Sequence, residues 1–468
     1  MAEHLLFLTG SLAESSLNKV LEGMQDRGFT YSVSNLGLKV AGLMTADMIR
    51  RRLGDTGGAD RVILPGLCRG DLNALVEIFG VPFMLGPVDL KDIPEYFGHG
   101  TVPPDLSRHD IRIFAEIVDA PRLSIADILD RAATLRNAGA DVIDLGCLPD
   151  TRFRGLVDAV RALKDSGFSV SVDSMEPNEL LEGGRAGADY LLSLREDTLW
   201  IADEVDAVPV LIPAEHGNLA SLERAMDSMA KRGKAFIADP ILDPIHFGFL
   251  DSLVRYHTLR ARHPGIDIML GIGNLTELTE ADSTGVNALL FGLASELGAR
   301  HVLTTQVSPH CRSAVREADA ARRLMFAARE ANRLPKGLSE ALLVVHARKP
   351  FPYSPEEIAE LAEQIRDPSY RVQISERGIH VFNRDGIYTD TDPFTIFPSL
   401  TLGNDTGHAF YLGVELARAQ IAWQLGKRYH QDRELGWGCT VETNVTDYAQ
   451  NDAPGDIPGA GCAGSDQP

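Results

Sequence analysis

Eight short apolar runs in the middle of this sequence end, one after another, in residues able to do acid–base or electrostatic chemistry. IRIFAEI carries Glu116, DVIDLG carries Asp144 and leads to Cys147, and FSVSVD ends at Asp173, followed by Ser174. ADYLLSL contains Ser193, VPVLIP leads to Glu215 and His216, and AFIAD ends at Asp239, with Asp243 and His246 beyond it. IDIMLGIG is followed by Asn274, and HVLTTQ by His310, Arg312 and Arg316. Carboxylates gathered on one rim repel, and each raises its neighbours' pKa. Such a rim is tolerable when it faces hydrogen-bond donors or a cation, so a ligand with several N–H groups, or a metal, would complement it. Each residue also has a plainer reading. Asp173 and Ser174 could cap the following helix, Asp239-Pro240 could form a turn, and Asp144 could be a satisfied core acid. The glycines around Asn274 could serve a turn, and His246 and His310 read as structural or solvent-exposed.

A rim exists only if these runs are parallel strands of one sheet. They are four to seven residues long, rich in β-branched residues and nearly unbroken, as strands buried on both faces should be. Amphipathic stretches such as SIADILDRAATLRNAG and NLASLERAMDSMAKRG lie between them, with apolar residues at three-to-four spacing and Gly at their ends. Eight strand–helix units over residues 111–330 predict a TIM (β/α)8 barrel, with an open doubly wound sheet as the alternative. The active site of a barrel lies at the C-terminal ends of its strands. Residues 1–110 read as a small N-terminal α/β layer domain. Residues 331–443 read as a C-terminal α+β domain, with a strand-like LLVVHARKP, a helix over 355–367, the hairpin RVQIS/GIHVFNR and a long helix near 409–429. Residues 444–468, rich in Asp, Gly, Pro and Ala, read as a disordered tail. Thr9-Gly10-Ser11 and Pro65-Gly66 each follow a strand and open a helix, where phosphate could bind; without a GxGxxG or P-loop pattern, tight turns are the preferred reading.

Composition narrows the function. The 468 residues are 44% hydrophobic and 24% charged, as in a folded globular chain. Asp plus Glu number 66 against 45 Lys plus Arg, a formal charge of −21, which disfavours nucleic-acid binding. The absence of an apolar run long enough to span a bilayer argues against a membrane protein, and MAEHLLFLTG reads as a first strand and not a signal peptide. Five widely spaced cysteines without a CxxC fit the reducing cytoplasm.

At the strand ends the chain resembles the pterin-binding TIM barrels, dihydropteroate synthase in particular. Gly139–Cys147 reads GADVIDLGC, like the family's GADxIDxGG. Ser169–Ser174 reads SVSVDS, like VSVDT, and Ala235–Phe249 reads AFIADPILDPIHFGF, like LDPGxGFGK. Order and spacing match over roughly residues 110–330. There are departures. Thr151 and Arg152 stand where the family has ESTRPG, shifted by one residue, and the strand-4 asparagine is replaced by Leu192-Ser193. Gly273-Asn274-Leu275-Thr276 replaces SRKS, so the pterin-stacking lysine is missing, and Glu116 stands where the family's asparagine holds magnesium. The chain is more similar to a long, divergent branch associated with tetrahydromethanopterin synthesis, sharing the IGN-x-TEL, GVNALL, LTT and VRE segments at 272–278, 285–290, 303–305 and 315–317.

The resemblance implies a transferase that joins 6-hydroxymethyl-7,8-dihydropterin diphosphate to 4-(β-D-ribofuranosyl)aminobenzene 5′-phosphate and releases diphosphate. Asp239 and Asp173, with Ser193 and Asn274, are the expected pterin-binding residues, and Asp144, Asp173 and Asp239 the expected catalytic set. Arg152, Arg312 and Arg316 are the expected phosphate binders, and Glu116 a ligand of Mg2+. Small-molecule pterin and arylamine partners and a homo-oligomer, as a dimer, are expected. Asn274 also resembles the pterin-dependent methyltransferases, the second reading, although the flanks lack a DxHxxG corrinoid signature. A non-catalytic pterin-binding protein is the third.

Overall fold

The structure, a computed structural model, describes residues 2–24, 28–97, 105–149 and 151–441. The tail expected at 444–468 lies outside the described residues. The chain divides into two compact units, one of residues 1–104 with 351–423, the other of residues 105–350 with 424–468.

The first unit opens with four parallel strands, β1 (Glu3–Thr9), β2 (Phe29–Asn35), β3 (Arg61–Leu64) and β4 (Phe83–Leu85), ordered β2-β1-β3-β4. Alternation along β1 sorts its apolar residues to two faces. Leu6 and Leu8 join Ile49 and Leu75 on one side; Leu5 and Phe7 join Leu17 and Leu21 on the other. The glycines after β1 and β3 are demanded by backbone packing. A Cβ on Gly10 would lie 2.8 Å from the carbonyl oxygen of Leu38, and one on Gly66 2.6 Å from Pro87. Tight turns thus account for both motifs. The same unit contains the helix Pro355–Gln364, whose Ile358 packs with Phe382 and Leu12.

The second unit is the expected barrel. Strands β5 (Arg112–Ile117), β6 (Val142–Gly146), β7 (Val170–Asp173) and β8 (Tyr190–Leu194) are followed by β9 (Val208–Leu211), β10 (Ile237–Ala238), β11 (Asp267–Gly271) and β12 (His301–Thr304). They close in sequence order, all pairs parallel, with β12 bonded to β5. Alternate residues face inward. Phe114, Val142, Leu192, Val210, Ile237 and Met269 fill the interior, while Ile113, Ile143, Val170 and Ile268 pack outward against the helices. Two residues beyond Phe114, Val142 and Ile237, on the same face, come Glu116, Asp144 and Asp239.

Back in the first unit, β13 (Arg371–Ser375), β14 (Gly378–Asn383) and β15 (Gly386–Asp390) form the expected antiparallel hairpins. LLVVHARKP is not a strand. Its carbonyls turn to side chains instead of a neighbouring strand: Val345 accepts from Lys427 Nζ at 3.3 Å, and Val344 accepts from the same ammonium. Among the described residues no helix is long and apolar enough to cross a membrane.

Candidate functional site

Strand register brings the acidic residues together. Glu116 on β5 lies opposite Asp144 on β6, and Asp144 opposite Ser171 on β7. One step further, Gly146 lies opposite Asp173. The lack of a side chain at Gly146 makes room for Glu116, because a Cβ there would run into Glu116 Oε1. Asp144 is 0% exposed. Its Oδ1 accepts from the Ser171 hydroxyl at 2.5 Å, and its Oδ2 is buried with no hydrogen-bond partner among the described residues. An orphaned buried carboxylate oxygen is expensive, so this one marks a place for an added donor.

Asp173 accepts from Ser193 Oγ at 2.6 Å. Ser193 reaches it through a backbone irregularity. The β8–β9 register shifts between Leu191 and Leu194, and Ser193 has φ +69°. Such a bulge re-aims a side chain, here into the barrel mouth. Asp173 does not cap the helix Pro177–Ala186, which has no side-chain cap. Ser174 instead accepts from the Glu176 amide and donates to the buried Glu179.

Asp239 follows β10. Its Oδ1 accepts from the Tyr256 hydroxyl and from the Ile241 amide, each at 2.7 Å. Asn274 is the second residue of the short helix Gly273–Thr276 after β11, and its amide donates to the Leu242 carbonyl at 2.8 Å, tying that turn to the Asp239 loop.

The four carboxyls are held above their ordinary range. Burial is the main cause for each. Glu116 is pushed up to about 7, with the charges of Asp173 and Glu277 adding to burial. Asp144 is raised strongly by burial, then by Asp173 and Glu116. Burial raises Asp173 against the opposing Ser193 hydrogen bond. Asp239 rises to about 6, less than burial alone would give, because Tyr256 and the Ile241 amide stabilise its charge. Among the described residues no Lys, Arg or His forms an ion pair with any of the four.

The arginines are placed differently. Arg312 is exposed after the short turn Pro309–Cys311, and Arg316 sits in the first turn of the helix Ala314–Glu330, both following β12. Arg152 is 68% exposed in the loop after β6 and pairs with Glu182 at 2.7 Å. Two surface cavities, of about 380 and 680 Å³, lie beside the helices Ala46–Arg52 and Leu72–Phe79 and at the start of β8 and β9. Neither is lined by these carboxylates.

Residues 3–88 match the model of a protein family of unknown function, DUF6513. The chain is 27% identical to the uncharacterized protein MJ0107 of Methanocaldococcus jannaschii, over 92% of this chain and 98% of that one. Solved structures similar to it include the dihydropteroate synthase of Yersinia pestis with a pterine-sulfa conjugate, at 19% identity and a TM-score of 0.38. That match covers 48% of this chain and 95% of the other. The Vibrio fischeri 7,8-dihydropteroate synthase matches at 15% identity and TM-score 0.38, over 48% of this chain and 94% of that one. The Thermus thermophilus enzyme matches at 22% and 0.36, over 48% and 95%.

Tyr256 escapes the sequence reading, as it lies 17 residues beyond Asp239 inside an amphipathic helix. Its signal is periodicity, since Ser252, Tyr256 and Leu259 share the buried face. Glu277 also escapes it; its two oxygens accept from the amides of Val307 and Ser308 at 2.7 and 2.8 Å, joining the loops after β11 and β12. Among the described residues no three His, Cys, Asp or Glu side chains converge as a metal site. A hard cation that keeps most of its waters and takes phosphate oxygens needs only one or two carboxylates. Glu116, half-buried and opposite Asp144 in the strand register, fits that limited demand.

Proposed function

We propose that this protein is a pterin-using transferase of the dihydropteroate synthase type. The carrying observation is the acidic well with its orphaned Asp144 Oδ2, buried and unopposed by any ion pair among the described residues. Such a well selects a ligand rich in N–H donors. A pterin offers its 2-amino group and ring N–H as a flat, guanidine-like edge, which the carboxylates of Asp239 and Asp173 accept, with Ser193 and Asn274 beside them. In the reaction the arylamine nitrogen bonds to the pterin methylene carbon as the carbon–oxygen bond to diphosphate breaks. The electron pair leaves with diphosphate, and the amine proton passes to solvent. Positive charge grows on the methylene, and the carboxyls of Asp144 and Asp173, whose ionisation that charge favours, stabilise it. Mg2+, when bound at Glu116, supplies charge neutralisation for the diphosphate. Arg312 and Arg316 hold phosphate groups, and Arg152 joins them on leaving Glu182.

The acceptor we favour is 4-(β-D-ribofuranosyl)aminobenzene 5′-phosphate, in tetrahydromethanopterin synthesis. The absent strand-7 lysine supports this choice, because a larger nucleophile brings its own phosphate handle. The setting is the cytoplasm and the working form a homodimer. The test is diphosphate release from 6-hydroxymethyl-7,8-dihydropterin diphosphate with that amine or with p-aminobenzoate. Release with the ribosylated amine alone is expected. Release with p-aminobenzoate would make this a folate-type enzyme. Release with neither amine, alongside tight pterin binding, would leave the methyltransferase or binding-protein reading.

A further inference from the structure

Asp239 is held by a neighbour built for the purpose. The helix Phe249–Arg262 reaches the loop after β10 through three side chains. Ser252 Oγ accepts from the Asp243 amide at 3.2 Å. Arg255 donates to the carbonyls of Pro240 and Ile241 at 3.2 and 2.9 Å, and to Asp243 Oδ2 at 2.6 Å. Tyr256, 0% exposed, places its hydroxyl 2.7 Å from Asp239 Oδ1 and 3.1 Å from the Met269 carbonyl. Ile241 has φ +67°, a left-handed conformation that a β-branched residue adopts only under constraint. The constraint has a visible product, since it points the Ile241 amide back at the same Oδ1. Two donors therefore converge on one oxygen, and no donor among the described residues reaches Oδ2.

We infer that Tyr256 is a positioning residue, whose hydroxyl fixes Oδ1 of Asp239 so that the ionised carboxylate presents Oδ2 to the ligand in the barrel mouth. This rests on the reading of Asp239 as the pterin-binding carboxylate. The ring is sealed in the core and cannot touch substrate, so Tyr256 acts through Asp239. The other charged groups that bear on Asp239 are Asp173 across the mouth, which disfavours its ionisation, and Arg255, which favours it. Arg255 is itself engaged by Asp243, whose second oxygen lies 3.3 Å from His216. The phenolic hydroxyl is the remaining side-chain support for the charged form.

The test uses the full chain with carbon-13 in its aspartate carboxyls, and Asp239→Asn to assign the Asp239 resonance. In Tyr256→Phe the Asp239 titration midpoint should rise by about one pH unit. The acid limb of 6-hydroxymethylpterin binding should move with it. Incorporation of 3-fluorotyrosine, a stronger donor of nearly the same shape, should move the midpoint down and covers the case in which the phenylalanine variant does not fold. A midpoint unmoved by the folded variants overturns the inference. If the parent protein binds no pterin, the proposed function fails, and the carboxyl titration still decides the role of Tyr256.

Discussion

Replacing Asp239 with Asn should make the ligand-free protein more stable above neutral pH while abolishing pterin binding. The side chains are nearly the same shape, and an Asn oxygen can keep both hydrogen bonds that Oδ1 now accepts from Tyr256 and Ile241. What the substitution removes is a charge in an unfavourable place. The Asp239 carboxyl titrates near 6 in the fold, against 3.8 ordinarily, because it is buried and faces Asp173. Roughly two pH units at 1.36 kcal/mol each is about 3 kcal/mol. The sign follows from proton linkage. Below about pH 3 the carboxyl is protonated in both folded and unfolded chains, and the folded state carries no penalty. As pH rises through the window from 3.8 to about 6, the unfolded chain releases its proton before the folded one, and stability is lost. Above that window the whole penalty is present. The difference between Asp239→Asn and the parent should therefore be near zero at about pH 3 and grow to about 3 kcal/mol by pH 7.5. The assay is the barrel's unfolding transition followed across that pH range in both proteins. A difference that stays flat with pH would refute the argument that Asp239 is a strained charge, and so would an Asn variant less stable at pH 7.5. Pterin binding measured by calorimetry on the same samples should be lost, and unchanged affinity would remove Asp239 from the site.

Other consequences can be checked separately. Glu116→Gln should shift the Mg2+ dependence of diphosphate release to higher concentration, and superimposable metal titrations would make that ligand assignment wrong. Gly146→Ala should displace the Glu116 carboxyl and lower turnover about tenfold or more with the fold retained; a variant as active as the parent would mean that this close approach has no bearing on the chemistry. Arg152→Gln should change stability by no more than about 0.5 kcal/mol, since the pair with Glu182 is solvated. The same variant should raise KM for a phosphate-bearing substrate, and an unchanged KM removes Arg152 from phosphate binding.

Much of the site could be read in advance because a barrel strand is a period-two object. In IRIFAEI, Phe114 and Glu116 share a face; in DVIDLG, so do Val142 and Asp144. Once those runs are taken as strands of one closed sheet, their acidic ends must meet at one rim. Ser193 is harder, because only the bulge near the end of β8 turns it toward Asp173. The second hydroxyl of the site, Ser171, sits inside the apparently apolar run FSVSVD, and nothing in that run signals its bond to Asp144. LLVVHARKP misleads for the opposite reason. Its apolar residues match a strand, yet among the described residues no strand pairs with them.

Alternation of eight apolar runs with amphipathic helices was enough to set the barrel, its mouth and the inward parity of Glu116, Asp144 and Asp239. These are consequences of local periodicity and of closing one sheet, and both are written in consecutive residues. Tertiary structure alone decided which oxygens are satisfied and which are not. That Tyr256 closes on Oδ1 of Asp239, that Asp144 Oδ2 is left without a donor among the described residues, and that Arg152 turns to Glu182 all depend on contacts between segments 17 to 30 residues apart. Hydrogen-bond partners at such separations are chosen by side-chain packing after the elements have docked, and no spacing rule in the chain encodes them. For the same reason, packing and not chain order joins residues 1–104 with 351–423 in one unit around their own cores.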